Sequence, residues 1–146
     1  MAAPVDRPGD SSSEHQTPGT SRRRSRDMSQ LDFEIDFFGR LLDRDPYFVD
    51  ALRVQASNLA ARGQHARALQ LDRRLVRLMP EDAIAWYNLA CSYAVLGMSD
   101  PGFFALQRAL ELGYAYAGRL FRDPDLKALR RDPRFDRLLR RFGFRV

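Results

Sequence analysis

Repetition at one fixed offset is the feature that most restricts how this chain of 146 residues can fold. Gly63 and Gly97 are 34 positions apart, and so are Pro46 and Pro80. The same offset relates Ala56 to Ala90, Leu52 to Trp86, Leu59 to Tyr93, and Leu78 to Leu112. A period between roughly 20 and 50 residues is typical of stacked repeats. Residues 49–82 and 83–116 are therefore predicted to form two copies of one structural unit.

Each unit has the apolar spacing of two consecutive helices. In the first unit, Leu52, Ala56 and Leu59 lead to Gly63, and Ala68, Leu71, Leu75 and Leu78 lead to Pro80. In the second, Trp86, Leu89, Ala90 and Tyr93 lead to Gly97, and Leu106, Ala109, Leu110 and Leu112 lead to Gly113. Glycine readily adopts the left-handed conformation that ends a helix. No segment is predicted to be a strand, so the predicted fold class is all-α, a short α-solenoid of helix hairpins.

The segments on either side of the two units are predicted to close the array. Residues 29–46 form a half-repeat, with a helix from about Gln30 to Arg44. Its two apolar stripes form one wide face, which we expect to be buried against neighbours: Leu31, Ile35, Phe38 and Leu42, then Phe33, Phe37 and Leu41. Residues 117–146 are predicted to form two capping helices, after Pro124 and Pro133, that shield the last apolar face.

Four Asp-Pro pairs are predicted to mark helix starts. They are Asp45–Pro46, Asp100–Pro101, Asp123–Pro124 and Asp132–Pro133. An aspartate side chain accepts a hydrogen bond from a free N–H of the first turn. Proline has no N–H to leave unsatisfied at the first helical position. Several short helices are therefore expected in a small chain.

Residues 1–28 are predicted to be a disordered tail rich in Ser, Pro and Arg. They contain almost no large apolar side chains, so they cannot bury enough surface to offset the entropy of ordering. The tail ends in a basic cluster of Arg22, Arg23, Arg24 and Arg26. Met28 directly precedes the first predicted helix and offers an alternative start of translation.

Composition argues against a membrane span, a metal site and a cofactor. No apolar run approaches the roughly 18 residues that cross a bilayer, and no secretion signal is visible, so a cytoplasmic location is expected. Cys91 is the single cysteine and there are two histidines, His15 and His65, which cannot supply the four ligands of an ordinary structural zinc site. Catalysis is not predicted, because Cys91 has no histidine partner marked in the sequence and no glycine-rich phosphate loop occurs.

Residues 49–116 resemble two tetratricopeptide (TPR) repeats. The second unit has the residues of that pattern in Trp86, Leu89, Ala90, Tyr93 and Ala109, and the first has Ala56, Ala68 and Pro80. Residues 112–139 resemble the segment that often closes bacterial TPR arrays. Departures from the pattern are Leu52, Gln55, Leu59, Asp72 and Tyr114. Asp72 stands where a large apolar residue is usual, so it is either partly exposed or paired with Arg53 or Arg108.

The resemblance implies a binding module whose concave groove receives a peptide or a helix of an unidentified protein. The groove residues that it implies are Asp50, Arg53, Ser57, Ala60, Ala61, Ile84, Tyr87, Asn88, Cys91, Ala94 and Val95. The alternative is a shallow groove whose apolar residues only contact the flanking helices. A clamp for a C-terminal carboxylate is not expected, because only Arg53 and Asn88 match its positions.

The C-terminal arginines are the second candidate surface. Residues 119–146 contain ten basic and four acidic residues, and Arg134, Arg137 and Arg141 share one helical face. Such a patch could bind the phosphates of a nucleic acid or an acidic protein surface. The other interpretation is a solvated face. Self-association is also open, because the exposed ends of a short array can stack on one another.

Overall fold

A computed structural model describes the backbone of residues 19–146 and the side chains from Gln30 onward. Of the predicted disordered tail, residues 1–18 lie outside these residues, and residues 19–28 belong to the first helix. The described chain contains eight α-helices packed as consecutive antiparallel pairs, with no strand among them, which confirms the all-α prediction. The helices are α1 (Gly19–Arg44), α2 (Val49–Ala61), α3 (His65–Leu78), α4 (Ala83–Val95), α5 (Ser99–Glu111), α6 (Ala117–Arg122), α7 (Lys127–Arg130) and α8 (Pro133–Arg141), with a 3-10 helix (Pro124–Leu126) before α7.

The glycines end their helices as predicted. Gly63 has φ +81° and Gly97 has φ +73°, both in the left-handed region. After each glycine, the next N–H donates to the carbonyl five residues back, from Gln64 to Leu59 and from Met98 to Tyr93. This bond satisfies a carbonyl that the end of the helix would otherwise leave free. It gives α2–α3 and α4–α5 the same hairpin geometry.

The core runs along the stack of hairpins and continues into the C-terminal segment. Leu52 on α2 and Leu106 on α5 are fully buried, as are Leu126, Leu129 and Leu139 near the C-terminus. The 3-10 helix and α7 pack on α4, while α7 and α8 pack on α5. The C-terminal segment therefore covers the last apolar face of the array. It contains α6 in addition to the two helices predicted there.

Helix α1 differs from its prediction in two respects. It begins at Gly19 and not near Gln30, because apolar spacing detects only the part of a helix that buries a face. The prediction that its whole apolar face is buried was wrong, since Phe33 is 64% and Phe37 is 47% exposed. Helix α1 packs mainly on α2, which covers the stripe that ends at the buried Leu42. No described helix covers the second stripe, Phe33, Phe37 and Leu41, to the same degree.

Two of the four predicted Asp-Pro caps are confirmed. Asp123 accepts a bond from the N–H of Asp125 at 3.0 Å, and Asp132 accepts one from the N–H of Arg134 at 2.9 Å. The other two predictions were wrong, because Asp45 caps only a turn ahead of α2 and Asp100 lies inside the first turn of α5. Sequence reasoning also missed Asp82, which caps α4 without a following proline.

Candidate functional site

A cavity of about 370 Å³ lies between α2, α4 and the C-terminal segment. We call it the concave groove. One wall is formed by α2, with Arg53, Ser57, Ala60 and Ala61. Asn88, Cys91 and Ser92 come from α4, and His65, Asp72 and Leu75 from α3. The opposite wall consists of Arg119, Asp123 and Asp125.

The structure places the predicted groove residues in three different environments. Arg53, Ser57, Asn88 and Cys91 line the cavity. Asp50, Ile84 and Val95 are exposed but do not line it, and Tyr87 is only 1% exposed beneath the surface. Asp50 and Ile84 lie in the opening turns of α2 and α4, and Val95 is the last residue of α4, so all three lie toward the ends of the groove helices.

Arg53 is already engaged inside the protein. Its guanidinium donates to the carboxylate of Asp82, and the same carboxylate accepts the N–H groups of Ile84 and Ala85 at the start of α4. Partial burial opposes ionisation of Asp82, but the bonds from Ala85 and Arg53 outweigh it and hold its pKa below the usual range. This ion pair offsets the positive charge of Arg53, so the guanidinium attracts an anionic ligand less than an unpaired one would.

Tyr87 performs the corresponding task one unit later. It occupies the position in the second unit that Arg53 occupies in the first, and its hydroxyl donates to Asp123 at 2.6 Å. Asp123 in turn caps the 3-10 helix, as Asp82 caps α4. The Tyr87 ring stacks on Tyr114 with centroids 4.2 Å apart. Burial, with Cys91 and Asp123 nearby, raises the pKa of Tyr87, so its hydroxyl remains a neutral donor. The hydrogen bond from Tyr87 therefore holds the far wall of the groove, at Asp123, to α4.

Cys91 has the properties of a structural thiol. It is 8% exposed, and its Sγ lies 4.0 Å from Oδ2 of Asp123. Burial and the negative charge of Asp123 raise the pKa of the Cys91 thiol. A nucleophilic cysteine requires the opposite shift, because only the thiolate attacks. The environment of Cys91 thus opposes covalent chemistry at neutral pH.

Asp72 is buried, and its partner is neither of the arginines considered from the sequence. It is 4% exposed and accepts a hydrogen bond from the Ser92 hydroxyl at 2.6 Å. Burial raises the pKa of Asp72 to about 6, against a partial lowering by that bond. A neutral donor is a weaker partner for a carboxylate than an arginine. Asp72 is therefore a titrating group at the floor of the groove.

The far wall presents two carboxylates, Asp123 and Asp125, next to the guanidinium of Arg119. Burial and the adjacent Asp123 raise the pKa of Asp125, and the Asp125 carboxylate accepts no hydrogen bond from another described residue. On the facing wall, the exposed Ser57 and Asn88 side chains also make no hydrogen bond with the described part of the chain. These groups can serve a ligand. From the sequence, residues 123–125 were interpreted as a helix start within the closing segment, and their two carboxylates were not assigned to the groove.

The three arginines of the predicted basic patch do share a face, but they differ in engagement. Arg134 bonds to Asp100 at 2.7 Å and to Asp132 at 2.9 Å, and lies 4.5 Å from the ring centroid of Phe103. Arg137 and Arg141 are exposed and form no ion pair with a described residue. With Phe103, Phe104, Gln107 and Leu138, the three arginines border a second cavity of about 510 Å³, which we call the α5–α8 groove.

Metal-binding clusters and membrane-spanning helices are both absent from the described residues. No group of three or more His, Cys, Asp or Glu side chains is arranged there to hold a metal ion. No helix between residues 19 and 146 combines the length and apolar character that crossing a membrane requires.

Comparison with known proteins gives a partial match. No family model matches the chain. A stretch of 64 residues, 43% of the chain, is 45% identical to part of a protein of Arabidopsis thaliana whose name describes it as chloroplastic. That stretch is 19% of the length of the Arabidopsis protein, so the match spans about a fifth of this relative. The chain is thus partially and distantly homologous to a segment of a longer protein.

Proposed function

We propose that this protein is a TPR-type, non-catalytic adaptor or scaffold that binds a segment of another protein in its concave groove. The proposal rests on one observation above all. The groove presents the unengaged side chains of Ser57, Asn88 and Asp125 around a cavity of about 370 Å³. A concave site with a few convergent polar groups is the common form of a binding site. The partial match to a longer protein agrees with a module that is reused within larger chains.

The charge of the groove favours a peptide with a basic side chain. Arg53 is neutralised by Asp82, whereas Asp125 has no cation bonded to it within the described part of the chain. Asp123 and the floor residue Asp72 are further carboxylates of the lining, and Arg119 is its other arginine. Next to Asp125 a peptide carboxylate would be repelled, and a lysine or arginine would find an acceptor. We infer that the ligand is an extended or helical segment that directs a basic residue toward Asp125.

A peptide-display selection on the immobilised protein would test this proposal. We expect enriched sequences to share a lysine or arginine, and their synthetic forms to bind the full chain. The groove-filling variant Ala61→Trp should abolish this binding, and Asp125→Asn should weaken it about tenfold, as expected when one partner of a charge pair is lost. Arg73→Trp, on the exposed surface of α3, is the matched control and should bind normally.

Two outcomes would contradict the proposal. Peptides that bind Ala61→Trp as well as the unmodified protein do not use the concave groove. Enrichment of acidic peptides would show that Asp125 does not select the ligand. Capture from cell extract with and without nuclease then separates a protein partner from the alternative, nucleic-acid binding by Arg134, Arg137 and Arg141. Partners that survive nuclease but are lost with Ala61→Trp support the groove.

A further inference from the structure

The α5–α8 groove contains apolar surface that no described part of the chain covers. Phe103 and Leu138 form its floor, at 8% and 7% exposure, and Phe104 forms a wall with 63% of its surface exposed. The volume of about 510 Å³ lies within the range of ordinary ligand pockets. An exposed aromatic ring beside an apolar floor is the form that a contact surface takes.

Comparison of the two hairpins shows that this surface differs from an ordinary solvated helix face. Phe104 corresponds to Gln70 in the first hairpin, 34 residues earlier, and both positions are exposed. The second hairpin thus has an aromatic ring where the first presents an amide to water. The Phe104 ring contacts Trp86 edge to face, with centroids 6.2 Å apart, yet most of its surface stays exposed. Packing within the array therefore accounts for only part of Phe104.

The rim of the groove is basic, and two of its three arginines have no ion-pair partner. No carboxylate is among the described residues that line it. Arg134 is held by Asp100 at 2.7 Å and by Asp132 at 2.9 Å. Arg137 and Arg141 are exposed and form no ion pair with a described residue. These two guanidinium groups are therefore available to a ligand.

The carboxylates near the rim already have other partners. Asp132 bonds to Arg134, and Glu111 bonds to Arg108 at 2.7 Å. Side-chain hydrogen bonds hold the pKa of both carboxyl groups below the usual range, and the charges of the two free arginines contribute less to this lowering. Neither carboxylate forms an ion pair with Arg137 or Arg141.

We propose that the α5–α8 groove binds a segment of a partner protein that combines one large apolar side chain with flanking carboxylates. The apolar side chain lies on the floor of the groove, and the carboxylates bond to Arg137 and Arg141. Residues 119–146 contain ten basic and four acidic residues, so this end of the array attracts an acidic segment and repels a basic one.

A nucleic acid fits the same groove less well. Single strands bind along successive aromatic platforms in a basic channel. Among the residues that line the groove, Phe104 alone presents an exposed ring, because Phe103 is buried and lies 4.5 Å below the guanidinium of Arg134. Contacts to phosphates would also leave the apolar floor without a role. The apolar floor and the free arginines together favour an acidic protein segment.

This site is separate from the concave groove. The two grooves share no lining residue, so the inference goes beyond the proposed function and does not depend on it. One chain then holds a basic segment of a partner in the concave groove and an acidic, apolar segment in the α5–α8 groove.

Peptide display on the full-length Ala61→Trp variant, whose concave groove is filled, tests the inference. We expect enriched peptides to combine aspartate or glutamate with one large apolar residue. Their synthetic forms are then titrated by fluorescence anisotropy. Arg137→Glu/Arg141→Glu should weaken their binding by at least about tenfold, because two charge contacts are reversed. Phe104→Gln, which gives the wall the residue of the first hairpin, should weaken it by about fivefold or more.

The control variant is Arg73→Glu/Arg77→Glu on α3, which reverses two exposed arginines at the same spacing and should bind the peptides normally. Arg137 and Arg141 are exposed, so the thermal melt of their double variant should match that of the unmodified protein. A selection that enriches no acidic peptide would overturn the inference, as would equal binding by Arg137→Glu/Arg141→Glu. Peptides that bind equally well after their apolar residue is changed to serine would overturn it too.

Two further measurements separate this site from the other candidates. A single-stranded oligonucleotide that binds more tightly than every peptide, and is released by Arg137→Glu/Arg141→Glu, would assign the arginines to phosphates and overturn the inference. Selection for the concave groove is made on Arg137→Glu/Arg141→Glu, where the second groove no longer attracts acidic peptides. Acidic peptides enriched on that variant count against the concave groove, whereas those enriched on Ala61→Trp and lost with the arginines belong to the α5–α8 groove.

Discussion

The two hairpins of this protein, α2–α3 and α4–α5, share a backbone design but differ in what they bury. At two corresponding interior positions of the repeat, the first hairpin has Gln55 and Asp72 where the second has Leu89 and Leu106. All four side chains are at most 4% exposed. The same backbone geometry thus encloses polar side chains in the first hairpin and apolar side chains in the second.

The polar interior is incompletely satisfied. Gln55 donates to the carbonyl oxygen of Ile35 at 2.8 Å, while its own Oε1 is buried without a partner among the described residues. Asp72 depends on one serine hydroxyl, from Ser92 of the neighbouring hairpin. A buried polar group without its bonds costs free energy. In each case a neighbouring helix supplies one hydrogen-bond partner to the buried polar side chain, and four substitutions test what the two interiors contribute to stability.

The largest effect is expected when the carboxylate is transferred to the second hairpin. Leu106→Asp places it at a fully buried position within the apolar core. We expect a loss of about 4 kcal/mol in the free energy of unfolding at pH 7, measured by urea denaturation. Leu106→Asn controls for lost packing without a charge. Equal losses in the two variants would show that ionisation at this position is not the cause.

The reverse change, Asp72→Asn, should stabilise the protein at neutral pH. The pKa of Asp72 is about 6 in the folded chain against an ordinary value of 3.8, so the folded state binds the proton more tightly. The contribution of protonated Asp72 to the free energy of unfolding is fully present below pH 3.8 and is lost as the pH rises through about 6. This difference between the two pKa values corresponds to about 2 to 3 kcal/mol of unfolding free energy at pH 7, which Asp72→Asn should recover.

Urea denaturation of both proteins from pH 3.5 to 8 measures this difference. The Asp72→Asn variant should be the more stable at pH 7, and the gap should close as the pH falls toward 4. A gap that is constant across this range would refute the assignment of the titration to Asp72. Ser92→Ala, which removes the one described donor to Asp72, should widen the pH dependence relative to the unmodified protein.

An intermediate effect is expected from Trp86, which corresponds to Leu52. Trp86 donates its indole N–H to the Pro80 carbonyl at 2.8 Å and contacts Phe104 edge to face, with Arg108 over its ring. Trp86→Leu makes the second hairpin resemble the first and should cost about 1 to 2 kcal/mol. Far-UV circular dichroism must follow unfolding, because Trp86 is the single tryptophan. Trp86→Phe should recover part of the loss; full recovery would exclude the indole bond as a contributor.

The smallest effect is expected from Gln55→Leu, which gives the first hairpin the residue of the second. The change removes the unpartnered Oε1 and also the bond to the Ile35 carbonyl. These contributions oppose each other, so we expect a gain below about 1 kcal/mol in urea denaturation. A loss of several kcal/mol would mean that the bond to α1 outweighs the buried oxygen, and the first hairpin would then depend on its polar interior.

The hairpins could be predicted from sequence because their signals are local. The constant repeat offset and the glycines determine where helices pair and end. The far wall of the concave groove could not be predicted, because α6 interrupts the repeat: Arg53 reaches Asp82 over 29 residues, but Tyr87 reaches Asp123 over 36. The exposure of Phe33 and Phe37 could not be predicted from the sequence either. An apolar stripe shows that a helix face needs a partner, but not that the partner belongs to the same chain.

Two of the capping aspartates, Asp82 and Asp123, have a consequence for how the molecule unfolds. Each one begins the next helical element and also holds a donor from the preceding hairpin. At each boundary one aspartate side chain therefore bonds to both neighbours. If the preceding hairpin unfolds, the aspartate that begins the next element loses its bond to Arg53 or Tyr87. Coupling of this kind between nearest neighbours makes a linear array lose its structure in one concerted transition, where independent units would fray one by one from an end.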